Sequence, residues 1–266
     1  MWEFAAALRY KSHPMDLPPA ATAAALVVGN EILSGKIEEK NLAVLARFLR
    51  EHGVELLRTE IVPDELGTIA DATKRLAATH DWVFTSGGVG PTHDDVTIEA
   101  VARAFGKPAS VHPDLKAMLE AHYGDRLTEA HLRMALAPEG AILERTAEVA
   151  WPVLRLGNVW MLPGVPEIFR AKVLVLAERL PRGQAYVSLS VLTHKDESEI
   201  KALLDDAVAA FPDVSIGSYP RWHPPGAAVV AASEDTYRTK ITFDGRVESR
   251  VFAARNHFQA RLRGLP

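Results

Sequence analysis

The sequence predicts an α/β protein, a doubly wound and mostly parallel sheet followed by a smaller α+β module. Three observations predict it. Short apolar runs alternate with amphipathic stretches of helical period from residue 23 onward. Glycine-bearing loops follow three of those runs, as they do at the ligand-binding edge of open sheets. Pro181-Arg182-Gly183 then punctuates the chain, and a shorter set of strand and helix signals begins.

The elements follow in order. Residues 23–28 read as a buried strand ending at Gly29. Residues 38–52 read as an amphipathic helix with Leu42, Leu45, Ala46 and Leu49 on one stripe, and Gly53 stands where a C-terminal cap belongs. A strand over 54–62 and a helix over 68–78, with Ile69, Thr73 and Leu76 inward, come next. A strand over 82–85 enters a glycine turn, and the turn opens a helix reaching Phe105. Residues 111–137 are mainly helical, 159–162 form another short strand, and a helix runs from Pro166 to Arg179. Beyond the punctuation lie strands over 185–193, 214–219, 227–232 and 237–243, with helices over 197–211 and at the end. The expected division is an extension over 1–22, the α/β domain over 23–182 and the small module over 183–266.

Composition narrows the function. With 266 residues, 48% hydrophobic and 24% charged, the chain reads as a soluble globular protein. A net charge of −4 gives no basic field for nucleic acid. The absence of cysteine excludes disulfides, thiolate metal sites and cysteine nucleophiles. Residues 1–22 carry Glu3, Arg9, Lys11 and Asp16 around a short apolar run, unlike a secretory signal, and Met15 is a second candidate start. No run has the length and hydrophobicity of a membrane span. The expectation is a cytoplasmic protein, a homo-oligomer if strand edges are to be covered.

The chemistry concentrates in Ser86-Gly87-Gly88-Val89-Gly90-Pro91-Thr92-His93-Asp94-Asp95. Glycines let backbone N–H groups approach a ligand, and a helix N-terminus attracts phosphate. Asp94 and Asp95 repel phosphate unless a cation lies between. The pattern points to a phosphorylated ligand held with a divalent metal, Mg²⁺ or else Mn²⁺ or Co²⁺. Two more loops follow strand ends, Gly29-Asn30-Glu31-Ile32-Leu33-Ser34-Gly35 and Leu162-Pro163-Gly164-Val165-Pro166. Converging, the three would form a cleft lined by backbone donors, with Glu31, Asp94 and Asp95 as its acids.

Plainer readings stand beside these. Thr92 with Asp95 also fits a helix capping pair. His93 fits an exposed loop residue, Glu31 a solvated turn, and Gly164 a rigid strand-to-helix corner. Tyr219-Pro220-Arg221-Trp222-His223 could stack a ring, but packing is the stronger reading. No Ser–His–Asp set, Walker lysine or histidine metal spacing stands out.

The three loops together, in this order and spacing, resemble the competence/damage-inducible protein A family, within the molybdopterin-binding superfamily of molybdenum-cofactor biosynthesis. The same domain is found fused to eukaryotic FAD synthases. The likeness runs from about Ala23 to Leu180, and Ile216-Gly217-Ser218-Tyr219-Pro220 is similar to the family's second domain. The resemblance implies a three-layer fold and, for competence-type members, a metal-dependent pyrophosphatase acting on ADP-ribose or related dinucleotides. It implies that Gly87, Gly88 and Gly90 cradle phosphate, with Gly29, Asn30, Ser34, Gly35, Ser86, Thr92 and Pro163 around the ligand. Asp94, Asp95 and Glu31 would hold metal or orient water, and Gly164 would close the cleft. Many relatives carry aspartate at Asn30, and the nicotinamide-nucleotide deamidase activity of longer relatives is not expected.

Two functions follow as expectations. One is a metal-dependent nucleotide pyrophosphatase. The other is a non-catalytic binder of a nucleotide or pterin phosphate, which Asn30 favours. An adenylyltransferase step in cofactor assembly shares the fold but needs ATP and a pterin.

Overall fold

The computed structural model describes residues 19–147, 149–180, 183–223, 233 and 236–264. The chain divides into two compact units, Ala20–Gly183 and Gln184–Pro266.

In the first unit, β1 (Ala21–Val28), β2 (Val54–Val62), β3 (Trp82–Ser86) and β8 (Val159–Leu162) form the parallel part of a six-stranded sheet. The order is β2-β1-β3-β8-β7-β6, in which β7 (Val153–Leu156) and β6 (Ile142–Glu144) run antiparallel. β1 begins two residues earlier than expected, and Thr22 explains it. Its N–H and hydroxyl both bond the Asp81 carboxylate, tying the strand start to that of β3. The antiparallel extension was not expected from sequence. Leu156-Gly157-Asn158-Val159 carries its signal, a two-residue Gly-Asn turn that folds β7 onto β8.

Both faces of the sheet are covered. On one side α2 (Asn41–Glu51) and α7 (Pro166–Ala177) pack over Ala23, Ala25, Phe84, Trp160 and Leu162. On the other, α3 (Leu66–Thr79) and α4 (Thr97–Ala104) pack over Ala24, Leu26, Val83 and Met161. Central strands apolar on both faces are what a parallel sheet requires. Each Leu or Phe so buried contributes about 1.5–3 kcal/mol. Of the residues expected to face inward, Leu45, Leu49, Ile69, Thr73 and Leu76 are buried, while Leu42 and Ala46 are half-buried.

The stretch 109–138 is less helical than expected. It opens and closes with a small ladder, β4 (Ala109–Val111) against β5 (Leu136–Pro138), around α5 (Pro113–Tyr123) and α6 (Glu129–Arg133). A four-residue helix, α1 (Asn30–Leu33), stands where a plain loop was expected.

In the second unit, β9 (Val187–Thr193), β10 (Ser215–Pro220) and β11 (Thr239–Gly245) form an antiparallel sheet of order β10-β11-β9. With α8 (Glu197–Ala210) and α9 (Glu248–Leu262) it encloses Val191, Ile200, Ile241, Phe243, Val251 and Phe258. β11 alternates, with Thr239, Ile241, Phe243 and Gly245 turned inward, as in a sheet covered on one face. The expected strand over 227–232 lies outside the described residues. Trp222 is 81% exposed, so the packing reading of that segment fails for its indole.

Candidate active site

Strand order reverses between β1 and β3, because β1 leads outward to β2 and the chain returns past it to β3. Ligands of open α/β sheets bind at the carboxyl ends of strands at such a point. All three glycine-bearing loops leave from that edge, after β1, β3 and β8.

The turn after β3 demands its glycines. Gly87 has φ +103° and Gly88 φ +67°, in the left-handed region that disfavours side chains. A Cβ on Gly87 would lie 2.2 Å from the Val28 carbonyl oxygen, and one on Gly164 would lie 3.3 Å from the Gly87 Cα. The loops are therefore in backbone contact. The Gly87 N–H donates to Leu162 O at 3.2 Å, while the N–H groups of Gly88, Val89 and Gly90 have no acceptor among the described residues. A run of free N–H groups at a concave turn suits anionic oxygens.

The helix expected to open at Asp94 and Asp95 begins instead at Thr97, as α4. The buried Thr97 N–H donates to Gly88 O at 2.9 Å and its hydroxyl to Gly87 O at 2.9 Å. The helix N-terminus is thus taken by the turn's own carbonyls, and residues 89–96 loop out before it. Asp95 accepts from Thr92 N–H at 2.8 Å and from the Thr92 hydroxyl, as in a capping pair but inside the loop. Asp94 accepts from the same hydroxyl at 2.6 Å. That bond, ahead of the backbone and His93 contributions, holds the Asp94 carboxyl below the usual carboxylate range. His93 is 99% exposed, as its plainer reading has it.

Between the loops lies a cleft of about 710 Å³. Glu31, Ser86, Gly87, Gly88, Gly90, Asp95, Pro163 and Gly164 all line it. Gly29, Asn30, Ser34, Gly35, Thr92 and Asp94 do not. Asn30 instead donates its backbone N–H to the Asp64 carboxylate at 2.7 Å, at the start of α1. Among the described residues no three of histidine, cysteine, aspartate and glutamate gather into a metal-holding group.

Several lining residues escaped the sequence reading. Asn41, the first residue of α2, is 4% exposed and donates from Nδ2 to Ser86 Oγ at 3.0 Å and Gly164 O at 2.8 Å. Glu39 accepts from the N–H groups of Asn41 and Leu42, and so caps that helix with its carboxylate. Arg133 reaches from α6 to Asp95 O at 3.1 Å and Glu99 Oε1 at 3.2 Å. Lys172 is 7% exposed, and its Nζ donates to the carbonyls of Trp151 at 2.9 Å and Pro152 at 2.7 Å. Burial pushes its ammonium down from 10.5 to about 8. The one sequence signal for Lys172 is its place on the apolar stripe of Phe169, Val173 and Leu176.

Fold and site together define a doubly wound α/β protein with a glycine-lined cleft at its switch point. Comparison with known proteins gives the class its family. Residues 24–182 match the family described as a probable molybdopterin binding domain, and the chain belongs to it. Residues 185–265 match the FAD synthase middle domain. A protein of Archaeoglobus fulgidus is 32% identical over 88% of this chain and 95% of its own length. A probable FAD synthase of Caenorhabditis elegans is 30% identical over 77% of this chain but only 44% of its own length. The crystal structure of CinA from Thermoplasma acidophilum is 34% identical, with a TM-score of 0.56 over 60% of this chain and 98% of that one. No described helix is long and apolar enough to cross a membrane.

Proposed function

We propose that the cleft binds a phosphorylated nucleotide or pterin and that the protein hydrolyses a dinucleotide diphosphate of the ADP-ribose or FAD class. The observation that carries the reading is the turn of Gly88, Val89 and Gly90, three N–H groups at the switch point with no acceptor among the described residues, beside Asp95 and Glu31, which are among the acids lining the same cleft. Family membership and the FAD synthase-like module support a nucleotide or pterin ligand.

The reaction adds one water across the P–O–P bridge and releases AMP and a second phosphomonoester. The protein alone presents no metal-holding group among the described residues. A Mg²⁺-class ion takes one or two carboxylates with phosphate oxygens and water, so Asp95 and Glu31 fit it only together with the ligand. Bound in that way, the ion would neutralise the diphosphate and make water more acidic. The glycine N–H groups would hold the phosphate oxygens as charge shifts toward the leaving group. Asp94, outside the lining, has no direct part in this reading.

The second reading, a non-catalytic binder, draws on the same lack of a preformed metal group among the described residues; Asn30, outside the cleft lining, does not bear on it. Incubation with ADP-ribose and FAD under Mg²⁺, Mn²⁺ or Co²⁺ separates the two. AMP release is expected; no release with any metal, beside calorimetric binding of either compound, would leave the binder.

A further inference from the structure

Among the described residues of the first unit, Lys172 is the one buried cation. It lines the cleft from α7 yet is nearly sealed from solvent, and no carboxylate among the described residues lies within ion-pair distance of its Nζ. Two of its three N–H groups meet the carbonyls of Trp151 and Pro152; the third meets no acceptor among the described residues. The other charged groups on the cleft wall are Glu31, Glu38, Glu39, Lys40, Asp95 and Arg133. On its own helix, Glu167 pairs with Arg170, and just past the helix end Glu178 pairs with Arg179. A buried ammonium without a counter-charge is costly to keep, and an anionic oxygen delivered by a ligand removes that cost.

The rest of the cleft fits a ligand larger than one phosphate. Its volume of about 710 Å³ lies well within the range of cofactor-sized sites. Apolar walls from Leu115, Met134, Leu136, Leu154 and Met161 suit a ring system.

We propose that Lys172 receives a second anionic oxygen of the ligand, apart from the Gly88–Gly90 turn, so that the cleft selects compounds with two phosphate groups over those with one. This rests on the nucleotide reading above and adds to it a means of discrimination. Lys172 donates a charge-assisted hydrogen bond and takes no part in bond breaking. The lowered proton affinity of the empty state supplies a readout, because the incoming anion restores the proton that the buried amine tends to lose near pH 8.

The test is calorimetry of ADP-ribose, inorganic pyrophosphate and AMP, with and without Mg²⁺, at about pH 8.5 in buffers of differing ionisation enthalpy. Wild type is compared with Lys172→Met and Lys172→Arg. Wild type is expected to take up protons with the two diphosphates, beyond any uptake by Lys172→Met. The Met variant loses at least about tenfold in affinity for both diphosphates and little for AMP. The Arg variant recovers affinity without the added uptake. Equal affinity in wild type and Lys172→Met, or equal weakening of all three compounds without a change in uptake, overturns the proposal. Should Lys172→Met fail to fold, wild-type uptake and the Arg variant decide. If pyrophosphate alone binds, in a Lys172-dependent way, the subsite stands and the nucleotide reading falls; if nothing binds, both fall.

Discussion

The Asn41 carboxamide bridges two loops far apart in the chain, donating to Gly164 O at 2.8 Å and to Ser86 Oγ at 3.0 Å, 123 and 45 positions away. Because Gly164 O can only accept, the amide orientation is determined, and its Oδ1 is left buried without a partner among the described residues. Ser86 accepts from Asn41, so its own hydroxyl hydrogen is available to the cleft. Asn41→Ala strands the Gly164 carbonyl and is expected to cost about 1–3 kcal/mol in denaturant melts. Asn41→Asp costs more, since it sets a carboxylate against that carbonyl.

Gly87→Ala is expected to be among the most damaging single changes at the site. Its Cβ would meet the Val28 carbonyl at 2.2 Å on a backbone at φ +103°. A loss of about 3 kcal/mol or more follows. Gly164→Ala, with a contact of 3.3 Å, is the milder control, and thermal melts of the two rank them.

The adjacent aspartates separate by location. Asp95 lines the cleft and Asp94 does not. Under the hydrolase reading, Asp95→Asn lowers AMP release on the order of a hundredfold or more. Asp94→Asn leaves it nearly unchanged. Steady-state rates with ADP-ribose check the pair; equal loss in both would return Asp94 to the site.

Lys172 makes stability rise with pH. Its proton affinity in the fold, near pH 8, is below the unfolded value of 10.5, so between these values the unfolded chain binds more protons. Unfolding free energy therefore grows as pH rises through that window, by up to about 3 kcal/mol if the full difference is realised. Denaturant midpoints from about pH 8 upward check it, and Lys172→Met removes this part of the slope.

Glu144 acts in the same sense as Lys172, but in the acid range. Burial opposes its charge, but bonds from Arg179 Nε at 2.7 Å and Arg155 Nε at 2.9 Å outweigh that and hold its carboxyl below the usual range. Its contribution is present above the ordinary glutamate range and is lost as pH falls through the lowered value. Glu144→Gln is expected to destabilise by about 2–3 kcal/mol at neutral pH and by much less in acid, read from melts at both.

Much of this was legible in the residues. The alternation of buried strands with helices such as α2 and α3 follows from side-chain periodicity, which is local. The need for glycine at 87 and 88 is likewise local, a matter of φ and the space for a Cβ. The start of α4 was misread because Asp94 and Asp95 carry every sign of a helix first turn. Only the approach of Gly87 O and Gly88 O to Thr97 moves the helix two residues on. The Gly157-Asn158 turn held a readable signal for β7, but strands of four residues give little periodicity to join to it.

What the sequence determined by itself is the order of the parallel strands and of the main helices packed on them, the family, and the three loops from which the cleft is made. These rest on backbone sterics and on apolar spacing over a few residues. Tertiary structure decided which groups face the cleft. It turned Glu31 and Asp95 in, left Asp94 in solvent, and buried Asn41 and Lys172 at its wall. Those choices depend on contacts such as Asn41 to Gly164 and Lys172 to Trp151, between segments that only folding brings together.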